Sequence, residues 1–367
     1  MHKQKTVTAL LILAMLLTPG CGKVKISKAP KLDIKVEWLT DNSSEDEGQY
    51  SERTDDPNYD ESADESNSLN DEEFSIAPGS VMPNPVNQGK RIVCFGDSLT
   101  QGTGGDGVTM PDTIAEYSGA EVLNYGVYAE MTSCIAARQG GNPQALVEDI
   151  VIPADTTPVK AQVSGGYGYE MLLVFGDAGV NNVTLGGIEG TYTLEGENRV
   201  FTRLTPGEAT PLPEGTPLIT HAMADKREDD ILVIWTGHND EIKTTDNIPG
   251  LIEKIDKMIA YHGGDKYVVV SLTCRHGLIP VVDETNDALK AKYGEHYLDL
   301  RSFLVNDSLE YLSIEPTEKD KEAIAIGDVP YSIRFSMEED ENHGNADFYR
   351  LAGIRVYLKL VSLGYID

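Results

Sequence analysis

The chain changes pattern near residue 90. Before it, apolar residues gather only once, in 6–18; after it they fall into short β-branched runs alternating with longer amphipathic stretches. The run Arg91-Ile92-Val93-Cys94-Phe95 predicts a buried parallel strand, stopped by Gly96-Asp97, with Ser98 on the turn. A helix is expected over 110–119, with Ile114, Ala115 and Tyr117 inward, and a short strand over 121–124, broken by Tyr125-Gly126. A second helix is predicted over 131–138, with Thr132 or Ser133 as its N-cap. Further strands are predicted at 231–236, 267–273 and 297–300, and further helices at 248–261, 283–293 and 346–363. The region 302–335 is mixed and yields no order of elements. Five strands alternating with helices imply an α/β domain, its parallel sheet covered on both faces.

Between 151 and about 228 the rhythm breaks. Gly and Pro are frequent, and short β-type runs at 169–175, 180–185, 192–194 and 200–204 are separated by turn signals. The pattern predicts a β-rich insertion. It carries no recognisable binding motif, so shaping a substrate cleft and decorating the surface are both open to it.

Residues 1–21 form a targeting signal: His2, Lys3 and Lys5, thirteen mostly apolar residues over 6–18, then Pro19-Gly20-Cys21. The apolar run is short for a bilayer span. Cys21 looks like the lipid acceptor of a bacterial lipoprotein, although Thr18 stands where such signals usually have leucine. Ordinary secretion and an uncleaved anchor are the alternatives; all three place the domain outside the cytoplasm, at the cell surface or on the outer side of a bacterial membrane. Residues 22–88 are rich in Asp, Glu, Ser, Asn and Pro and are predicted to form an acidic disordered tether. Fourteen Asp or Glu lie between Asp41 and Glu73 against one basic residue, Arg53, a large part of the net charge of −30. A chain of that charge with no Lys/Arg patch is a poor partner for nucleic acid. The folded domain is assigned to 89–367. Once Cys21 is set aside, Cys94, Cys134 and Cys274 suggest no disulfide framework, and Cys94 reads as a small buried hydrophobe.

Three predicted strand ends deliver Ser98, Asn124-Tyr125-Gly126-Val127 and Gly237-His238-Asn239-Asp240; Asp340-Glu341-Asn342-His343 precedes the last helix. Together these resemble the SGNH, or GDSL, hydrolases, whose four blocks supply Ser, Gly, Asn and His in that order. The resemblance covers 90–367 apart from the insertion. It implies a three-layer α/β/α, flavodoxin-like fold with strand order 2-1-3-4-5, which brings the loops carrying Gly126, Ser98 and Asn239 together at the switch point. A serine hydroxyl needs a base to become nucleophilic, and His343 is the candidate. A carboxylate must fix the imidazole's tautomer, and Asp340 matches the family's Asp-x-x-His element. The resemblance further implies an oxyanion hole from the backbone N–H groups of Ser98 and Gly126 and the amide of Asn239. The Gly-x-Ser-x-Gly elbow of α/β-hydrolases is absent.

Asp97 is expected to order the turn, and Asp97, His238 and His276 are possible cleft-lining residues. Glu338, Glu339 and Glu341 read as solvated neighbours of Asp340. No metal-binding spacing occurs, and neither metal nor cofactor is expected. The function expected is an extracellular serine esterase acting through an acyl-enzyme, deacetylating a glycan, with the ester substrate and, through Cys21, a membrane as partners. Alternatives are a lysophospholipase- or lipase-type acylhydrolase, an acyltransferase, and a non-catalytic glycan-binding surface lipoprotein.

Overall fold

The computed structural model describes residues 81–164, 181–240, 244–273, 279–335 and 342–367. Five parallel strands form its main sheet: β1 (Arg91–Gly96), β2 (Glu121–Gly126), β3 (Ile231–Trp235), β4 (Tyr267–Val270) and β5 (Tyr297–Leu298). Their order is β5-β4-β3-β1-β2, the flavodoxin-like arrangement. The larger helices are α1 (Met110–Ser118), α2 (Thr132–Gln139), α3 (Ile248–His262), α4 (Ile279–Tyr293) and α5 (Ala346–Ser362).

Strand alternation divides the sheet's side chains between two cores. Ile92 and Cys94 of β1, with Val233, Trp235 and Val268, face α1 and α5 through Ile114, Leu351 and Ile354. Val93 and Phe95, with Leu232, Ile234 and Val269, face α2, α3 and α4 through Ile135, Leu251, Ile255 and Leu289. All six residues of β1 are buried because a neighbour lies on each edge and a helical layer on each face. Helices α1 and α5 approach closely at Gly353, where a Cβ would stand 2.8 Å from the Met110 carbonyl.

Several boundaries differ from the sequence expectation. Strand β2 continues through Tyr125 and Gly126, which stay in register with Phe95 and Gly96 instead of ending it. Neither Thr132 nor Ser133 is the N-cap of α2; Met131 holds that position without a side-chain bond, and a carboxylate from a distant loop does the capping, as described below. The mixed region contains the short helices Leu300–Asn306, Ser308–Tyr311 and Glu318–Ala325, the last opened by a reciprocal Thr317/Asp320 capping box.

The insertion is β-rich as expected, but its pairing begins at Gln144, before residue 151. A six-stranded antiparallel sheet joins Gln144–Ala145, Pro217–Ile219, Val183–Leu185, Ile188–Glu195, Asn198–Arg203 and Val159–Lys160, in that order. Ile150–Ile152 pairs separately with Thr210–Leu212. This unit has its own core, built on Ile152, Leu185, Tyr192, Phe201 and Leu218. The run at 169–175 lies outside the described residues. Helix α2 runs antiparallel to the strands, so the insertion leaves from its lower end and returns at the start of β3. It is therefore rooted at the end of the sheet opposite Ser98.

The expected tether ends too late. The Asn84 N–H donates to the Tyr117 carbonyl at 2.8 Å and the Asn87 N–H to the Ser118 carbonyl at 3.1 Å. The buried Asn87 amide also clamps both the Ser118 and Asp367 carbonyls. Val81 already packs on the core shared by α1 and α5. These residues belong to the domain.

Candidate active site

Ser98 opens a one-turn helix, Ser98–Gln101, at the carboxyl end of β1. Asp97 starts that turn: its Oδ1 accepts the Leu99 N–H at 3.0 Å. Glycine is needed on either side for close approach. A Cβ on Gly96 would stand 2.2 Å from the Trp235 carbonyl, and one on Gly126 would stand 2.1 Å from the Gln101 nitrogen. The Gly-Asp-Ser pattern and the glycine of Asn124-Tyr125-Gly126 thus allow β1, β2, β3 and the helical turn to converge.

His343 meets this turn from the far end of the sequence. Its Nε2 lies 2.7 Å from Ser98 Oγ, and both residues are half-buried. The histidine loop is fixed on both sides. The Phe335 N–H donates to the His343 carbonyl and the Asn345 N–H to the Ile333 carbonyl, each at 3.0 Å. Asn345 Oδ1 then caps α5 by accepting the Asp347 and Phe348 N–H groups. The Tyr349 hydroxyl donates to the Thr103 carbonyl, tying α5 back to the loop after Ser98.

The turn after β3 joins the other loops through three consecutive side chains. His238 Nε2 accepts the Thr273 N–H at 3.1 Å, and its Nδ1 faces Asp97 Oδ2 at 3.3 Å. The Asn239 amide, which has two N–H hydrogens, donates one to the Glu130 carbonyl at 3.0 Å. Asp240 Oδ2 accepts the Thr132 N–H at 2.7 Å and the Thr132 hydroxyl at 2.6 Å, while Lys254 reaches Oδ1 at 2.8 Å. Asp240 is the cap that α2 lacks locally. Glu130 and Arg138 form a fully buried ion pair beside this junction, with Nε and Nη2 both on Oε2. Burial pushes the Glu130 carboxyl up, against the opposing pull of Arg138.

Ser98 and His343 are thus brought together, with Asn239 anchored in the adjoining turn. Gly126 converges too, but its N–H already donates to Asn124 Oδ1 at 2.9 Å, so that amide does not stand open as an oxyanion donor. Asp97 is completely buried and His238 is 7 % exposed, so neither of these possible cleft-lining residues faces an open cleft; both pack against the turn that carries Ser98. Asp340, His276 and Cys21 lie outside the described residues. The network of Asp240 with Thr132 and the Glu130–Arg138 pair had no sequence signal, because each depends on side chains meeting across separate loops. Among the described residues, no group of three or more His, Cys, Asp or Glu is placed to hold a metal ion. A cavity lined by Arg91, Tyr125, Tyr261 and His262 contains none of the residues around Ser98.

No protein-family profile matches the chain, and no curated protein does. Among solved structures, the chain is similar to a protein of the lipolytic G-D-S-L family from Desulfitobacterium hafniense, at 13 % identity and a TM-score of 0.40, covering 74 % of this chain and 99 % of that one. It is also similar to a member of the lipolytic G-D-S-L family from Veillonella parvula, at 16 % identity and a TM-score of 0.36, covering 75 % and 97 %.

Proposed function

We propose that the chain is a serine ester hydrolase of the SGNH type. The observation that carries this reading is the 2.7 Å contact between Ser98 Oγ and His343 Nε2, made across 245 residues of sequence at the carboxyl end of a parallel sheet. His343 takes the hydroxyl proton as Ser98 attacks the ester carbonyl, then returns it to the departing alcohol. Water, activated by the same imidazole, releases the acid from the acyl-enzyme. Asp340 is the carboxylate proposed to orient His343. The Ser98 N–H and the second hydrogen of the Asn239 amide are the proposed oxyanion donors; each such donor typically contributes about 3–4 kcal/mol to the transition state. Gly126 joins them only if the Asn124 side chain releases its N–H.

The substrate proposed is an acetylated glycan outside the cell, reached by an enzyme exported through residues 1–21 and anchored at Cys21. Two exposed aromatic residues support a flat, polar substrate. The Tyr128 N–H donates to Gln101 Oε1 at 3.0 Å, one helical turn from Ser98, and the Phe335 ring lies against Gly104 beside the His343 loop. Such rings present apolar faces on which a sugar can stack.

A fluorophosphonate probe tests the reading. It should label the wild type at Ser98 and leave Ser98→Ala unlabelled; labelling at another serine overturns the assignment. Acetylated glycans, short p-nitrophenyl esters and lysophospholipids then separate the substrate classes. Preference for lysophospholipid, or transfer to an added alcohol, would replace glycan deacetylation with the corresponding alternative.

A further inference from the structure

Asp97 and His238 form a buried pair that the proposed reaction leaves unused. Asp97 is wholly buried, and only its Oδ1 is engaged, by the Leu99 N–H. Its Oδ2 has no hydrogen-bond partner of good geometry, and neither has His238 Nδ1; the two atoms face each other at 3.3 Å. Two such atoms buried without compensation are costly, so their juxtaposition calls for a proton between them. The other side of the imidazole decides where that proton sits. Nε2 accepts the Thr273 N–H at 3.1 Å, which requires a lone pair there, and the neutral ring must then carry its hydrogen on Nδ1. Trp235 lies edge-on to the ring, with centroids 6.1 Å apart, and limits its rotation.

We infer that His238 is a positioning residue, fixing the nucleophile turn by holding Asp97 through Nδ1–H. This rests on Ser98 being the nucleophile. The brace runs from the Thr273 N–H beyond β4, through His238 beyond β3, to Asp97 beyond β1, and ends at the Leu99 N–H. Ser98 lies between the last two. The brace sets the direction of the Ser98 Cα–Cβ bond and of the Ser98 N–H, and so both the approach to His343 and one proposed oxyanion donor. The 3.3 Å contact is long for a charge-assisted bond, as catalytic contacts often are before substrate arrives.

Two substitutions separate the two halves of the ring. In His238→Asn the amide nitrogen falls near the position of Nδ1 and can still donate to Asp97. In His238→Gln the side-chain oxygen falls near Nε2 and can still accept from Thr273, but the donor to Asp97 is lost. A misplaced reacting group can cost about 100-fold, so His238→Gln should lower kcat on p-nitrophenyl acetate by about 10- to 100-fold. KM should change little and the pH profile should keep its midpoint. His238→Asn should recover most of the loss, and fluorophosphonate labelling should follow the same order. Equal losses in the two variants, or an unchanged kcat in folded His238→Gln, would overturn the inference. Nitrogen-15 spectra of the histidine-labelled wild-type protein give an answer independent of the variants' folding: the Nδ1–H tautomer at His238 is expected, and the Nε2–H tautomer would overturn it. Failure of the wild type to label at Ser98 would instead remove the reading of the nucleophile and leave the tautomer result standing.

Discussion

Asn87 offers the sharpest test of where the domain begins. Its Nδ2 donates to the Ser118 carbonyl at 3.0 Å and to the Asp367 carbonyl at 3.1 Å, and its Oδ1 accepts the Asp367 N–H at 2.9 Å. At about 1 kcal/mol for each net hydrogen bond, the three sum to about 3 kcal/mol. Asp367 is exposed, so water can replace part of its share, and a loss of about 2 kcal/mol is expected for Asn87→Ala. In a domain of this size that corresponds to a fall in Tm of about 3–4 °C. A chain beginning at residue 89 should fall further than one beginning at Val81, because it also loses the main-chain bonds of Asn84 and Asn87 and the packing of Val81. Differential scanning calorimetry of the three proteins reads the effect. Turnover at 25 °C should be unchanged in Asn87→Ala, since Asn87 precedes β1 and lies at the end of the sheet opposite Ser98. Equal Tm values for the chains beginning at 81 and 89 would refute the reasoning and restore the boundary at residue 88.

Two further outcomes follow from individual side chains. Replacing Asp340, Glu338, Glu339 and Glu341 singly by their amides should lower turnover sharply only for Asp340→Asn, by at least about tenfold and at most about 10⁴-fold, while steady-state kinetics of a damaging Glu341→Gln would reassign the loop's register. Burial lowers the pKa of His262 below the ordinary imidazole value of 6.5, so the unfolded chain binds more protons there and stability should fall as the pH drops below 6.5, flattening at the depressed folded value. His262→Gln should remove that part of the slope in urea unfolding measured between pH 7.5 and 5.5, and an identical slope in both proteins would contradict it.

The sheet was legible because each strand is a compact apolar run closed by a turn. The burial of all six residues of β1 is what Arg91-Ile92-Val93-Cys94-Phe95-Gly96 implies in a central parallel strand. Strand β2 was cut short at Asn124 because Tyr125-Gly126 has the composition of a turn; pairing with Phe95 and Gly96 overrode that local preference. Thr317 and Asp320 carried a capping signal that could have ordered part of the mixed region. At the site, Ser98 and His343 were legible through motif spacing. The burial of His238 was not, because nothing in Gly237-His238-Asn239-Asp240 says whether its first side chain points into a cleft or beneath the neighbouring turn. That depends on Asp97 and Thr273, which come from other strands. Asn124 likewise gave no sign that it would occupy the Gly126 N–H.

The insertion closes on itself before it rejoins the sheet. Its first and last strands are neighbours, with Ala145 opposite Pro217 and Gln144 opposite Leu218. This has a kinetic meaning. Pairing β1 with β3 must bring Gly96 opposite Trp235 across a long stretch of chain, and a preformed stem between Ala145 and Pro217 shortens the effective loop by about half. Halving a loop lowers its closure cost by about 0.6 kcal/mol, so an insertion that folds first should speed the central strand pairing about threefold. Within it, Val183–Leu185 with Ile188–Glu195 and Ile188–Glu195 with Asn198–Arg203 are pairings of successive antiparallel strands, the kind that form early. The excursion that interrupts the α/β rhythm thereby acts as a staple on the folding pathway of the sheet it interrupts.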